Sequence, residues 1–354
     1  MTSRATVAFL ATALITLTAC AGGAGNASPT PSTSGSVSTV VQPTRRVEFV
    51  ISTAVGGGSD LYAREWARII DKLKLSPQPV DPLNKEGGSG IVAFTYVYGY
   101  KGDMHYLMVT LNSFFTTIIT AKPPPPFKTT DFTPIANLAL DPFFLWVNED
   151  SPWKTAQDFI TAAQEKSIVV AGTGAKQEDE ALFRRIQDLA KTKPFTYVSQ
   201  SGGATVADAL QKHAGIGAAS AGVEATVNNP SEGAPFYEQT ATTKRTLRPL
   251  CAFTPESPKT GLFASPIIPT CKSQGLAIDD YYIMRAVMGP PDLTPQQQAF
   301  WVGVFTKVFE SDDWKAYVQK FSLEPAFKSG IEFRQFILQY QQLHQEIAAK
   351  NGWV

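Results

Sequence analysis

VEFVISTAVGGGSDLYAR, running from Val47 to Arg64, is the stretch whose reading decides the fold of this chain. Val47, Phe49 and Ile51 alternate along a run rich in β-branched and aromatic residues, which predicts a strand. Gly56, Gly57 and Gly58 follow at once, and Ser59 and Asp60 offer a helix N-cap. Beyond them Tyr62, Trp66, Ile69, Ile70 and Leu73 share one helical face. Strand, glycine turn and capped helix together make a device for holding anions. The first amides of a helix lack an internal partner and sit at the positive end of its dipole. Glycine lets that backbone approach a guest closely, so a carboxylate, sulfate or phosphate is its natural occupant. The competing reading is a turn that needs glycine and binds nothing.

The rest of the composition bounds what such a device serves. At 354 residues the chain exceeds the size at which single cores stop growing, so two lobes are expected. Lys plus Arg and Asp plus Glu number 31 each, and no basic run occurs. No overall field draws in nucleic acid, and selectivity for an anion must be local.

Arg4 precedes an apolar run from Ala5 to Leu17 that is too short to span a bilayer. Residues 1–19 therefore read as a signal peptide. Leu17-Thr18-Ala19-Cys20 directly behind it resembles the lipobox of bacterial lipoproteins, which implies lipidation at Cys20 and attachment to the outer face of the cytoplasmic membrane. Residues 20–44, dominated by Gly, Ser, Thr, Pro and Ala, read as a disordered tether. That leaves Cys251 and Cys271 in an exported protein, where a disulfide between them is expected.

Further along, glycine turns recur. Asn84 to Gly90 is a second one, leading into a helix over Ile91 to Tyr100. Tyr106 to Leu111 reads as a buried strand ending at Asn112 and Ser113. Apolar runs at Ile135–Leu140 and Phe143–Val147 suit strands that pass between lobes. Thr155 with Asp158 resembles a capping box opening a helix. Gly172-Thr173-Gly174 and Ser199 to Gly203 follow predicted strands as third and fourth turns, the latter opening a helix to about His213. Gly215–Ser220 reads as a strand, and Leu247–Phe253 as the strand that returns to the first lobe. Tyr281–Met288 is a strand, and helices are expected from Thr294 or Pro295, over Asp312–Phe321, and along the face made by Phe333, Phe336, Ile337, Tyr340, Leu343 and Ile347. Alternating strands and helices argue for an α/β fold with mainly parallel sheets, whose ligands bind beyond the carboxyl ends of the strands.

Val55 to Asp60, Asn84 to Gly90, Asp131-Phe132-Thr133-Pro134-Ile135-Ala136, Ser201-Gly202-Gly203-Ala204 and Leu247-Arg248-Pro249-Leu250 occur in one order over roughly Arg45 to Val354. This ordered set resembles the substrate-binding proteins of tripartite tricarboxylate transporters, the TctC or Bug family. The resemblance implies a two-lobe, periplasmic-binding-protein-like fold of type II, with residues 45–145 and 247–354 in lobe 1 and 146–246 in lobe 2. It implies a monomer that closes on a small organic carboxylate and delivers it to membrane permease subunits, without a cofactor. Carried onto this sequence, its carboxylate-gripping loops are Val55, Gly56, Gly57, Gly58, Ser59 and Asp60, with Gly87, Gly88 and Ser89. Ser113 follows at a strand end, and the second lobe contributes Thr173, Gly174, Gln200, Ser201, Gly202, Gly203 and Ala204. The sequence departs from the family pattern at Val55, where proline is usual, and at Glu86. Glu178, Asp179 and Glu180 at a helix start complement its dipole. Should they line the cleft instead, the ligand would be cationic in part, such as an amino acid. Lys176 reads as a solvated lysine or as a partner for a second carboxylate.

Other functions find less support. Ala218-Ala219-Ser220-Ala221-Gly222 lacks the first glycine of a nucleophile elbow. His105, His213 and His344 are too far apart for a zinc motif, and neither glycine turn completes a dinucleotide fingerprint or carries a Walker lysine. A receptor presenting its ligand to a membrane sensor needs the same cleft as a transport receptor, so that alternative stays open.

Overall fold

The computed structural model describes residues 41–212, 222–239, 242, 244–259, 261–264, 267–278 and 281–354. The expected lipidation site Cys20, the tether up to residue 40, His213 and the strand expected over 215–220 lie outside them. The elements begin β1 (Val47–Ile51), α1 (Gly58–Lys72), β2 (Val80–Asn84), α2 (Ile91–Tyr98), β3 (Tyr106–Thr110), α3 (Ser113–Thr120) and β4 (Thr133–Pro142). They continue β5 (Phe144–Asn148), α4 (Ala156–Glu165), β6 (Val169–Thr173), α5 (Glu178–Ala190), β7 (Thr196–Gln200), α6 (Gly203–Gln211), β8 (Ala225–Asn228) and α7 (Pro230–Tyr237). The chain closes with β9 (Leu247–Ala252), β10 (Tyr282–Gly289), α8 (Pro295–Glu310), α9 (Asp312–Lys320), β11 (Glu324–Ser329) and α10 (Gly330–Lys350).

Two mixed sheets result, each the centre of one lobe. The first runs β11-β4-β10-β3-β1-β2 and the second β7-β6-β8-β5-β9. Both follow one plan. A parallel trio (β2-β1-β3, or β7-β6-β8) is joined to a further strand (β4 or β9) through one antiparallel strand, and in the first sheet β11 adds beyond β4. That antiparallel strand, β10 or β5, is in each case the first the chain lays down on crossing from the other sheet. This is the two-lobe periplasmic-binding-protein-like architecture.

The apolar patterns explain the packing. Tyr62, Trp66, Ile69 and Ile70 of α1 are all but fully buried against β1 and α8, with the Trp66 ring 6.3 Å from Phe49 and 5.5 Å from Trp314. Each such side chain stabilises by about 1.5–3 kcal/mol through the area it removes from water. Along α10, Phe333, Phe336, Ile337 and Tyr340 pack in a core on the first sheet. Ile347 and Ala348, with Trp353 beyond the helix, pack in a core on the second. One helix thus serves both lobes.

Several expectations need correcting. Helix α1 starts one residue before the predicted cap: Gly57 is its N-cap, while Ser59 and Asp60 lie inside the first turn. Leu73 falls at the C-cap and is exposed. Leu247–Ala252 pairs with β5, so it stays in the second lobe, and β10 is the strand that returns to the first. Likewise Phe144 and Leu145 already belong to the second sheet. Hydrophobic pattern alone carries no information on which sheet an apolar strand joins. Helices α3 and α7 and strands β8 and β11 have no counterpart in the sequence reading, because Thr-rich, Pro-containing and short polar segments give weak periodicity. Cys251 and Cys271 form a disulfide.

Candidate functional site

Strands β1, β3, β6, β7 and β8 aim their carboxyl ends at one region, and the turns that follow them enclose a cavity of about 540 Å3. From the first lobe, Val55, Gly56, Gly57, Gly58, Ser59, Gly87, Ser89 and Ser113 line it. From the second come Thr173, Gly174, Gln200, Ser201, Gly202, Gly203 and Ala204. Asp60 and Gly88 do not reach it.

Asp60 instead braces the first loop. Its carboxylate accepts from Gly56 N at 2.9 Å, from Arg64 and from Asn84 Nδ2 at 3.0 Å. Burial pushes its pKa up, but these bonds more than offset that and hold it below the ordinary carboxylate value. The second lobe is braced in the same way. Asp179 Oδ2 accepts from Thr173 N at 2.6 Å and Thr173 Oγ1 at 3.0 Å, and Gly202 N donates to Thr205 Oγ1 at 3.1 Å. Gly57 N and Gly174 N donate to the carbonyls of Ala54 and Gln200. Many turn amides expected to be available to a ligand are thus already satisfied within the chain. Helix geometry still leaves Ser59 and Ala204, next to the starts of α1 and α6, without an intrahelical acceptor. The Ser52, Thr53 and Ser59 hydroxyls, all at the cavity wall, are buried with no hydrogen-bond partner among the described residues.

Acidic side chains form much of the remaining wall. Glu178 and Asp179 line the cavity, whereas Glu180 pairs with Arg184 at 2.9 Å and accepts from Lys176 N. The expectation that all three only complement the dipole of α5 is therefore corrected for two of them. Lys176 is not at the wall. Burial raises the Glu178 pKa to about 7, and burial together with Glu178 lifts Asp179 well above its usual range. Glu232 on α7 reaches across to accept from Gly58 N at 3.3 Å, and burial raises its pKa as well.

Arg285 is the one cation among the described lining residues. It is 2% exposed, and its Nε and Nη2 donate to Asp141 Oδ2 at 3.0 and 2.6 Å. Tyr62 donates to the same oxygen, and its ring lies 4.5 Å beneath the guanidinium. Sequence reasoning missed Arg285, Asp141 and Glu232. A lone arginine within Tyr281–Met288 and a lone aspartate closing an apolar run were signals that a buried pair existed, though not where. Glu232 gave no comparable signal.

Direct bonds join the two lobes around the cavity. Thr116 Oγ1 on α3 donates to Gln177 Oε1 at 2.5 Å, and Asn229 Nδ2 donates to the Pro142 carbonyl at 2.8 Å. Among the described residues, no group of three or more His, Cys, Asp or Glu side chains is placed to hold a metal ion. No described helix is long and apolar enough to cross a membrane.

No family model matches the sequence. A relative from Cupriavidus necator, the "UPF0065 protein in gbd 5'region", is 25% identical over 316 residues, 88% of each chain. A solved TctC solute-binding protein from Polaromonas superposes with a TM-score of 0.65 at 20% identity, over 88% of this chain and all of that one. The fold is that of the TctC and Bug solute-binding proteins. An R. palustris protein with adipate shares this TctC-like fold at a TM-score of 0.74 and 19% identity, covering 88% of this chain and 98% of its own. MatC from Rhodopseudomonas palustris with bound malate does so at 0.70 and 19%, covering 86% and 99%.

Proposed function

We propose that this chain is an extracytoplasmic solute-binding lipoprotein, anchored through Cys20, that captures a small organic acid and delivers it to a membrane permease. One observation carries the binding half of this reading. Hydroxyls of Ser52, Thr53 and Ser59, without a partner among the described residues, stand beside the start of α1, at the wall of a cavity sized for a small molecule. Donors at a helix start suit a carboxylate. The adipate and malate carried by two proteins of the same fold are acids of fitting size.

Magnitudes favour grip from both lobes. Micromolar affinity needs about 8 kcal/mol. One charge-assisted hydrogen bond contributes about 1.5–3 kcal/mol, so one loop falls short once ordering is counted. Export and the lipid anchor rest on Arg4, the apolar run and Cys20 in the sequence.

A thermal-shift screen of the protein against mono-, di- and tricarboxylates, aromatic acids and acidic amino acids tests the assignment. A ligand at ten times its Kd stabilises the native state by about 1.4 kcal/mol. Silence across every acid would remove the binding assignment. Metabolic labelling with a palmitate analogue, compared with Cys20→Ser, tests the anchor.

A further inference from the structure

The second-lobe wall of the cavity is built to receive positive charge. Glu178 is 2% exposed, lines the cavity, and leaves its Oε2 without a hydrogen-bond partner among the described residues. Glu232 is placed more unusually. Its Oε1 accepts from Gly58 N at the start of α1, and its Oε2 lies so close to the start of α6 that a Cβ on Gly203 would stand 1.7 Å from it. Only glycine at 203 leaves room for that carboxylate. The chain's own acid therefore occupies the place between the two helix starts where a guest anion was expected. Arg285, whose Nε and Nη2 both donate to Asp141, is one cation set against that acid and against Glu178, Asp179 and Glu232.

A second ligand carboxylate here would join Glu178, Asp179 and Glu232 with no cation but Arg285 among the described lining residues to meet it, and buried like charges repel strongly. An ammonium brings three N–H donors and the missing charge. On the first-lobe loop, the hydroxyls of Ser52, Thr53 and Ser59 supply donors for a carboxylate. We propose that the ligand is an aminated carboxylate, its acid group held by the first-lobe loop and its protonated amine seated among Glu178, Asp179 and Glu232. This rests on the organic-acid reading above and narrows it.

Isothermal titration of the full chain in detergent at pH 7.5 tests it with matched pairs: adipate against 6-aminohexanoate, succinate against 4-aminobutyrate, and glutarate against glutamate. The aminated member should bind at least tenfold tighter in one pair or more. Glu178→Gln, or Glu232→Gln should the first variant fail to fold by circular dichroism, should narrow that ratio at least fivefold. Tighter binding of the plain acid in every pair overturns the proposal. So does an amine preference that survives the substitution in the variant that folds. A parallel titration with 1,6-diaminohexane separates the two readings: binding of the diamine with no acid bound keeps the cation seat and removes the organic-acid function. Failure of every compound overturns both.

Discussion

Glu178 and His344 titrate in overlapping pH windows with opposite consequences for stability. Glu178 moves from 4.5 to about 7 on folding because burial outweighs backbone hydrogen bonds and Arg285, while Glu232 adds like charge. Between those values the folded state holds the extra proton, so this group makes stability fall as pH rises through the window. The difference corresponds to roughly 3 kcal/mol at full effect. His344 packs against Phe115 and within reach of Tyr281 Oη at 3.2 Å, and burial lowers its pKa to about 4. Here the unfolded state holds the extra proton, so stability falls as pH drops from 6.5 towards 4. Glu178→Gln should therefore stabilise the protein by about 1–3 kcal/mol at pH 8 and change little at pH 4.5. Urea midpoints at the two pH values check this, and an equal effect at both would refute it. Arg285→Met should cost about 3–5 kcal/mol, because Asp141 is left buried without its counter-charge, with the Tyr62 hydroxyl still donating to it. Adding Asp141→Leu should restore most of that loss in the same urea measurement.

Short local devices are where the sequence speaks most directly. Thr155 accepts from Asp158 N and Asp158 accepts from Thr155 N, as the spacing predicts, and Thr294 with Gln297 repeats the box on α8. Thr155→Ala should cost about 1 kcal/mol in a denaturant titration. The glycine turns were readable as turns after strands, and fifteen of the seventeen ligand-binding candidates do meet at one cavity. What the turns do with their amides was not readable. Gly56, Gly58 and Thr173 spend theirs on Asp60, Glu232 and Asp179, and the second of these acids lies 174 residues away in the chain. A helix start advertises a place for negative charge without saying whether the charge arrives with a guest or from the same polypeptide. Gly57→Asp tests the loop as a whole. Its φ of −72° is open to any residue, and a Cβ there would stand 3.2 Å from the Ala54 carbonyl oxygen, so the loop must shift slightly while the fold persists and organic-acid binding is lost by titration.

At the scale of the whole molecule, alternation of strands and helices announced an α/β protein of two lobes, but not which lobe owned each strand. Leu247–Ala252 and Phe144–Asn148 are apolar in either sheet, and the deciding partners are each other. The Cys251–Cys271 disulfide starts within that pair and closes a loop of 20 residues. Its removal by the double serine variant should lower stability by about 3 kcal/mol, measured by urea unfolding against the oxidised protein. Any widening of the cavity must also reckon with α10. Since Phe333 is rooted in one core and Ile347 in the other, the two halves share a rigid spine about 20 Å long between those anchors. Separation of the two halves along that spine would pull Phe333 or Ile347 out of its core, so the helix opposes that movement.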